Sequence, residues 1–271
     1  MTKTDYLDVA TKMIKEAGKI VLKYKNCQKI IKSKSDPLDV VTDVDYQVEK
    51  YLINSINQNF PGHHILSEET ENKFNTVSGF NWIIDPLDGT KEYVRNIYDY
   101  SINIAFEYNN NLLLGIVYFP EIDQIYISQK GKGVEHNNNL VKVSQVNKIN
   151  NSIIYIHLPD SRWTKKGLKD FSQQQLAFIK NIYRLRSKAH DCESLCFIAK
   201  GAAEGYFLPP LEMRGTAGPK WWDVAPGILM IQEAGGMVTD VHGKAIVNHD
   251  LSNGLVASNK LIHSQLLQLV K

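Results

Sequence analysis

Two acids three residues apart, Asp85 and Asp88, sit inside the run Trp82-Ile83-Ile84-Asp85-Pro86-Leu87-Asp88-Gly89-Thr90-Lys91-Glu92-Tyr93. Pro86 fixes its own φ and keeps Asp85 out of helical geometry, so the pair lies on a rigid extended-to-turn segment. Gly89 permits close backbone approach, and Thr90 is a natural N-cap for a helix starting at Lys91. The front end, Trp82 to Ile84, is aromatic and β-branched and reads as a short buried strand. A strand thus delivers two carboxylates beside a helix start. Carboxylates hold hard divalent cations, and the free amides of a helix start hold an anion. One corner could bind Mg²⁺ and phosphate together. The same residue types also build ordinary turns, and Asp-Gly is a familiar hairpin signal, so the meaning of the stretch depends on the rest of the chain.

Other acids occur where an element begins or ends. Glu68 and Glu69 follow a short strand at His63 to Leu66, a position where charged side chains are mostly solvated. Asp39, Asp43 and Asp45 crowd the start of a second helix, where the helix dipole favours negative charge. Capping accounts for Asp39 and Asp43; Asp45 lies inside the first turn and gains meaning only beside the other acids. In Lys220-Trp221-Trp222-Asp223-Val224-Ala225-Pro226-Gly227, Asp223 sits at a helix N-terminus behind two aromatics able to wedge two lobes together. Alone it is an N-cap. At a lobe interface it could close a metal site from the far wall of a cleft.

The elements that must position these acids follow from periodicity. A first helix, capped by Thr4 or Asp5 and running to about Tyr24, carries an apolar stripe of Val9, Met13, Ala17, Ile20 and Tyr24. The second helix runs to about Asn59 and stops at Pro61-Gly62. Ile102, Ile104 and Phe106 alternate with polar residues as in a half-buried strand, and Leu112 to Phe119 joins it as a hairpin through Asn109-Asn110-Asn111. Ile125 to Ser128 and Leu140 to Val143 add strands, so this half reads as helices followed by a mainly antiparallel sheet. From Ile153 onward strands and helices alternate, with Gly235-Gly236 stopping a helix over Trp222 to Ala234. The boundary falls near Val146 to Asn151. We take residues 1–148 as an N-terminal α+β lobe carrying most of the acids and residues 149–271 as a C-terminal α/β lobe completing the site.

The 271 residues can bury a sizeable core in one large domain or two intimate lobes. Apolar content of 43% and charged content of 22% are those of an ordinary globular protein, and a net charge of +2 lacks the basic stripe of a nucleic-acid binder. Three scattered cysteines, Cys27, Cys192 and Cys196, do not make a disulfide scaffold, and the last two have no zinc-spaced partners. Asp5, Asp8 and Glu16 interrupt any signal-peptide hydrophobic region, and no run is long enough to span a membrane. The expected location is cytoplasmic.

Taken in order, Asp39-Val40-Val41-Thr42-x-x-Asp45, Ser67-Glu68-Glu69, Trp82-x-Ile84-Asp85-Pro86-Leu87-Asp88-Gly89-Thr90 and Trp222-Asp223-Val224-Ala225 with Glu233-Ala234-Gly235-Gly236 downstream resemble the signature of the lithium-sensitive, magnesium-dependent phosphatases of the inositol monophosphatase superfamily. The resemblance spans essentially the whole chain. It implies a layered αβαβα sandwich of mixed α/β (α+β) class with the active site between the lobes. It implies that Glu68, Asp85, Asp88, Asp223 and the Leu87 carbonyl bind two or three Mg²⁺ ions. Thr90 would orient and deprotonate the attacking water, with Asp45 polarising Thr90 or holding a further water, and Glu69 would stand behind the ligands. Two such ions about 4 Å apart can clamp the attacking and leaving oxygens of an in-line displacement. Amides of Gly89 and Thr90 would cradle the phosphate.

The residues after Gly-Thr differ among family members. Here Lys91-Glu92-Tyr93 resembles the CysQ-type 3′(2′),5′-bisphosphate nucleotidases of sulfur metabolism, which convert adenosine 3′,5′-bisphosphate to AMP and phosphate. Lys220, ahead of Trp-Trp-Asp, could meet a second phosphate as a point charge. Ser187, Lys188 and His190 are candidates for the nucleotide side, against plain surface solvation. The alternatives are an inositol-1-monophosphatase or related sugar phosphatase, and a non-catalytic role with the transcription machinery. The expected partner is a small phosphorylated molecule, with no nucleic acid and no membrane insertion; family members include monomers and homodimers.

Overall fold

A computed structural model describes residues 6–33, 40–70, 78–215 and 217–270. Helix α1 (Tyr6–Tyr24) leads to an antiparallel ribbon of β1 (Ile31–Ser33) and β2 (Val40–Thr42), a feature the periodicity did not reveal. Helix α2 (Asp43–Asn59), β3 (His64–Ser67), β4 (Phe80–Asp88) and the five-residue α3 (Thr90–Val94) follow. Strands β5 (Ser101–Tyr108), β6 (Asn111–Phe119), β7 (Gln124–Gln129), β8 (Gly133–His136) and β9 (Asn139–Val141) extend the first sheet. Its seven strands stand in the order β3-β4-β5-β6-β7-β8-β9, with β3 parallel to β4 and every other pair antiparallel.

The remainder alternates: β10 (Ile153–Ile156), α4 (Lys165–Asn181), β11 (Arg184–Arg186), α5 (Asp191–Ala199), β12 (Gly205–Leu208), α6 (Leu211–Arg214), α7 (Trp221–Glu233), β13 (Met237–Thr239), β14 (Leu255–Ser258) and α8 (His263–Leu269). Its five strands are ordered β11-β10-β12-β14-β13, parallel across β11-β10-β12 and antiparallel beyond.

Three apolar clusters cement five layers. Helices α1 and α2 cover the outer face of the seven-stranded sheet through Met13, Ile14, Val48 and Leu52 against Trp82, Ile84, Ile104 and Phe106. The buried stripe of α1 is Ala10, Met13, Ile14, Ala17 and Val21, so Val9, Ile20 and Tyr24 lie at its margin. Helices α5 and α7 fill the space between the sheets, where Leu195, Val224 and Ile228 meet Ile83, Ala105 and Val117 on one side and Tyr206, Leu208 and Ala257 on the other. Cys192 and Cys196 belong to this core. Helices α4 and α8 close the far face through Phe171, Phe178 and Leu266. This is the αβαβα sandwich that the resemblance implies. Because α7 is shared by both sheets, its N-terminus is held at the seam. At Gly115 of β6 a Cβ would come within 2.8 Å of the Pro226 carbonyl, so a side chain there would push α7 off the sheet. No helix among the described residues is long and apolar enough to cross a membrane.

Candidate active site

The acids converge because β4 runs further than its sequence suggests. It continues through Pro86 to Asp88 as a nine-residue strand. Residues three apart on a regular strand face opposite sides. Here Asp85 pairs with Asn103 and Asp88 with Ser101, so three steps on β4 match two on β5. The extra residue is a bulge at Pro86-Leu87, where a missing N–H costs no ladder bond. The bulge turns both carboxylates to the face that Ile83 presents to α7.

The third acid arrives from α7. Asp223 is not the N-cap that its sequence position suggests; it is the third residue of the helix, and Lys220 N–H donates to its Oδ2. Carboxylate oxygens of Asp85, Asp88 and Asp223 all lie within 4.8 Å of one another. Glu68 comes alongside through the parallel β3–β4 pair: its N–H donates to Ile84 O at 3.2 Å, one step past the Ser67–Ile84 register.

Burial, then repulsion from Glu68, Asp88 and Asp223, lifts the Asp85 carboxyl well above the ordinary carboxylate range. Asp223 is raised for the same reasons, burial first and then Asp88 and Glu68. Asp85 Oδ2 is buried and makes no hydrogen bond. Clustered, desolvated acceptor-only oxygens are costly alone and fit a hard divalent cation.

At the start of α2, Asp45 is fully buried and divides its two oxygens. Oδ2 accepts from the Thr42 N–H at 2.9 Å and from the Thr42 hydroxyl, closing a capping box on α2. Oδ1 lies 2.8 Å from Thr90 Oγ1, which is also 3.0 Å from Leu87 O. Burial raises the Asp45 pKa, and the hydrogen bonds from Thr42 and Thr90 only partly offset it. Thr90 is the first residue of α3 rather than its cap. Gly89 is the cap, at φ +94°, and a Cβ there would meet Asp99 O at 2.8 Å.

Glu68, Asp85, Leu87, Asp88, Gly89, Thr90 and Asp223 line a cleft of about 380 Å³, together with Lys91 and Lys220, and Asp45 stands behind Thr90. The remaining expected residues are placed differently. Ser187 and Lys188 do not line the cleft; Lys188 Nζ is paired with Glu193 Oε2 at 3.0 Å and Asp99 Oδ2 at 3.5 Å. Glu69 is half-buried beyond the strand end and is not part of the lining. Asp39 lies outside the described residues. His190 reaches the cleft wall but is buried behind Asp88, with Nδ1 3.2 Å from Asp88 Oδ2. Burial alone would lower its pKa; Asp88, Asp99 and Glu193 together raise it well above that of free imidazole. Its imidazole therefore braces an acid instead of facing solvent.

Periodicity missed Asn103. The alternation in β5 suggests a solvated polar face, yet Ser101 and Asn103 are fully buried. Asn103 Nδ2 donates to Asp88 Oδ2 at 2.9 Å, and Ser101 Oγ donates to Asn103 Oδ1 at 2.9 Å.

The chain matches the profile of the Inositol monophosphatase family over residues 2–271. It belongs to that family. Human Inositol monophosphatase 1 is 32% identical over 240 residues, covering 88% of this chain and 84% of the human protein. The Putative Nus factor SuhB of Neisseria meningitidis is 31% identical over 272 residues, covering 98% of this chain and 97% of that one. The crystal structure of extragenic suppressor protein suhB from Bartonella henselae superposes with a TM-score of 0.86 at 24% identity, covering 98% of each chain, and shares the fold. The family member described here is a phosphatase for a small phosphorylated substrate, with Mg²⁺ as its cofactor.

Proposed function

We propose that this phosphatase removes the 3′-phosphate of adenosine 3′,5′-bisphosphate, giving AMP and phosphate. The observation that carries the choice is a pair of ammonium groups. Lys91 and Lys220 both line the cleft, and neither has an ion-pair partner among the described residues. Two cations outside any salt bridge, beside an acidic metal centre, suit a substrate with a second anionic group, although Glu92 and Asp160 lie within electrostatic reach of Lys91.

In this reading Asp85, Asp88, Asp223, Glu68 and the Leu87 carbonyl hold the metal. When bound, magnesium supplies concentrated positive charge that acidifies water and offsets charge growing on the ester oxygen. The chain itself does the rest. The first amides of α3, which have no intrahelical partner, and the Gly89 N–H bind phosphate oxygens. With only five residues, α3 contributes these individual donors more than a macrodipole. The Thr90 hydroxyl orients the attacking water and passes a proton toward Asp45 Oδ1. Asp45 is suited to that task because burial makes it a stronger base than an ordinary carboxylate.

Replacing Lys91 or Lys220 by Gln tests the substrate assignment. Each should raise KM for adenosine 3′,5′-bisphosphate by roughly tenfold, with less effect on AMP-sized monophosphates. Equal effects on both substrates would refute the second-phosphate role. A second reading, an inositol phosphate substrate, is favoured by the name and 32% identity of the human relative. The name of the Neisseria relative supports an additional non-catalytic role in transcription. The intact acidic set argues against such a role replacing catalysis.

A further inference from the structure

The cleft that Thr90 lines is also lined, after β10, by a group that the proposed reaction leaves unused. His157 follows β10, and its backbone N–H donates to Phe207 O at 3.0 Å. Its ring lies parallel to Trp163, with 7° between the planes and 6.4 Å between centroids. Nδ1 lies 3.0 Å from Asp191 Oδ1 and 3.2 Å from Oδ2. The Tyr206 hydroxyl, from β12, donates to the same Oδ1. Asp191 is thus held by two elements of the small sheet at the first residue of α5.

An ionised carboxylate only accepts hydrogen bonds, so the Nδ1 facing it carries the proton, and Nε2 is the ring nitrogen left for a ligand. Burial would raise the Asp191 pKa, but His157 and Tyr206 hold it below the usual range, so the carboxylate stays ionised. The His157 side chain is 21% exposed and lines the same cleft as Asp85, Asp88 and Asp223. A bracing role alone would not require the ring to reach the cleft.

In-line displacement puts the departing oxygen on the side away from the attacking water. Thr90 lines the cleft from the α3 side, with Asp45 buried behind it. The carbon skeleton that leaves therefore faces the second lobe, where His157 and Asp191 stand. We propose that His157, clamped by Asp191, is a specificity residue: its Nε2 hydrogen-bonds a hydroxyl of the departing sugar or polyol. The pair then selects hydroxylated esters over aromatic ones. This rests on the phosphatase reading of the cleft but holds for a ribose or an inositol leaving group alike.

The test compares kcat/KM for adenosine 3′,5′-bisphosphate and inositol 1-phosphate with that for phenyl phosphate, which has no hydroxyl to offer. All three are measured with Mg²⁺ on the full chain. In His157→Phe, which keeps a ring against Trp163, the preference of the better hydroxylated ester over phenyl phosphate should fall roughly tenfold, the worth of one buried hydrogen bond. Asp191→Asn should lower the same ratio, and His157→Gln, whose amide can pair with a hydroxyl in either direction, should restore part of it. A ratio within twofold of wild type in His157→Phe would overturn the proposal even if all rates fell, because a bracing residue lowers every ester together. A wild-type chain that hydrolyses none of the three would remove the phosphatase reading and this proposal with it. Wild-type turnover with an unchanged ratio removes this proposal alone.

Discussion

Asn103 on β5 donates from Nδ2 to Asp88 Oδ2 on β4 at 2.9 Å, across the bulge that separates the Asp85–Asn103 and Asp88–Ser101 pairs. The bond leaves Asp88 Oδ1 for a cation and fixes the carboxylate's rotation. Residues that orient a metal ligand in this way typically contribute about 10–100-fold to metal affinity. Asn103→Ala should therefore raise the Mg²⁺ concentration for half-maximal activity by that factor, with a smaller change in the rate at saturating metal. Unchanged magnesium dependence would show that Asp88 needs no such support.

Thr90 and Asp45 give the prediction on chemistry. Thr90→Val removes the hydroxyl and should lower kcat about 10²–10⁴-fold, the usual contribution of a positioned proton acceptor, with KM little changed. Asp45→Asn should do the same and also weaken the α2 capping box, costing about 1 kcal/mol in urea unfolding. A Thr90→Val variant with near-normal kcat would place the water's activation elsewhere.

Gly89 is the backbone hinge of the site. At φ +94° and with Asp99 O 2.8 Å from where a Cβ would sit, Gly89→Ala is strained in both backbone and contact. The expected loss is about 1–3 kcal/mol of stability by denaturant unfolding, with activity falling as the Thr90 amide moves. A stability change under 0.5 kcal/mol would contradict the geometry.

A pH-dependent contribution arises beneath that hinge. The Tyr100 hydroxyl donates to Glu121 Oε2 at 2.6 Å, and Lys25 pairs with Oε1. Burial opposes ionisation of Glu121, but Lys25 and Tyr100 outweigh it and lower its pKa. With the folded value depressed, the unfolded chain binds more protons in the acid range. The contribution is present above the unfolded pKa of about 4.3 and is lost as pH falls through the folded value. Glu121→Gln should lower the Tm at neutral pH, and the gap to wild type should close below about pH 4. A gap that persists or widens in acid would contradict the assignment.

Residue type and order mark Asp85, Asp88 and Asp223 as acids at element ends, but that they meet was legible only through the resemblance. Their geometry was not. A Pro inside Asp85 to Asp88 reads as the end of a strand, and only pairing with β5 shows a bulge that keeps β4 going and aligns both carboxylates. Alternation in β5 reads as one face in water, because a period of two cannot say whether the polar face meets solvent or a site. Lys188 looked available because charged residues are usually exposed, yet Asp99, distant in sequence, captures it. His157 and Asp191 carry no local signal; they meet only because β10 and α5 are brought to one wall. The layering came from the resemblance, since helical and strand periods do not specify which sheet a shared helix such as α7 will join.

The most direct measurement is phosphate release from adenosine 3′,5′-bisphosphate and from inositol 1-phosphate, with and without Mg²⁺, using Asp88→Asn as the blank. Magnesium-dependent release with a strong preference for the nucleotide is expected, with release from Asp88→Asn reduced by on the order of 10²-fold or more while the protein stays folded. Preference for inositol 1-phosphate would contradict the roles given to Lys91 and Lys220. Wild-type-like release from Asp88→Asn at saturating Mg²⁺ would contradict the metal centre itself.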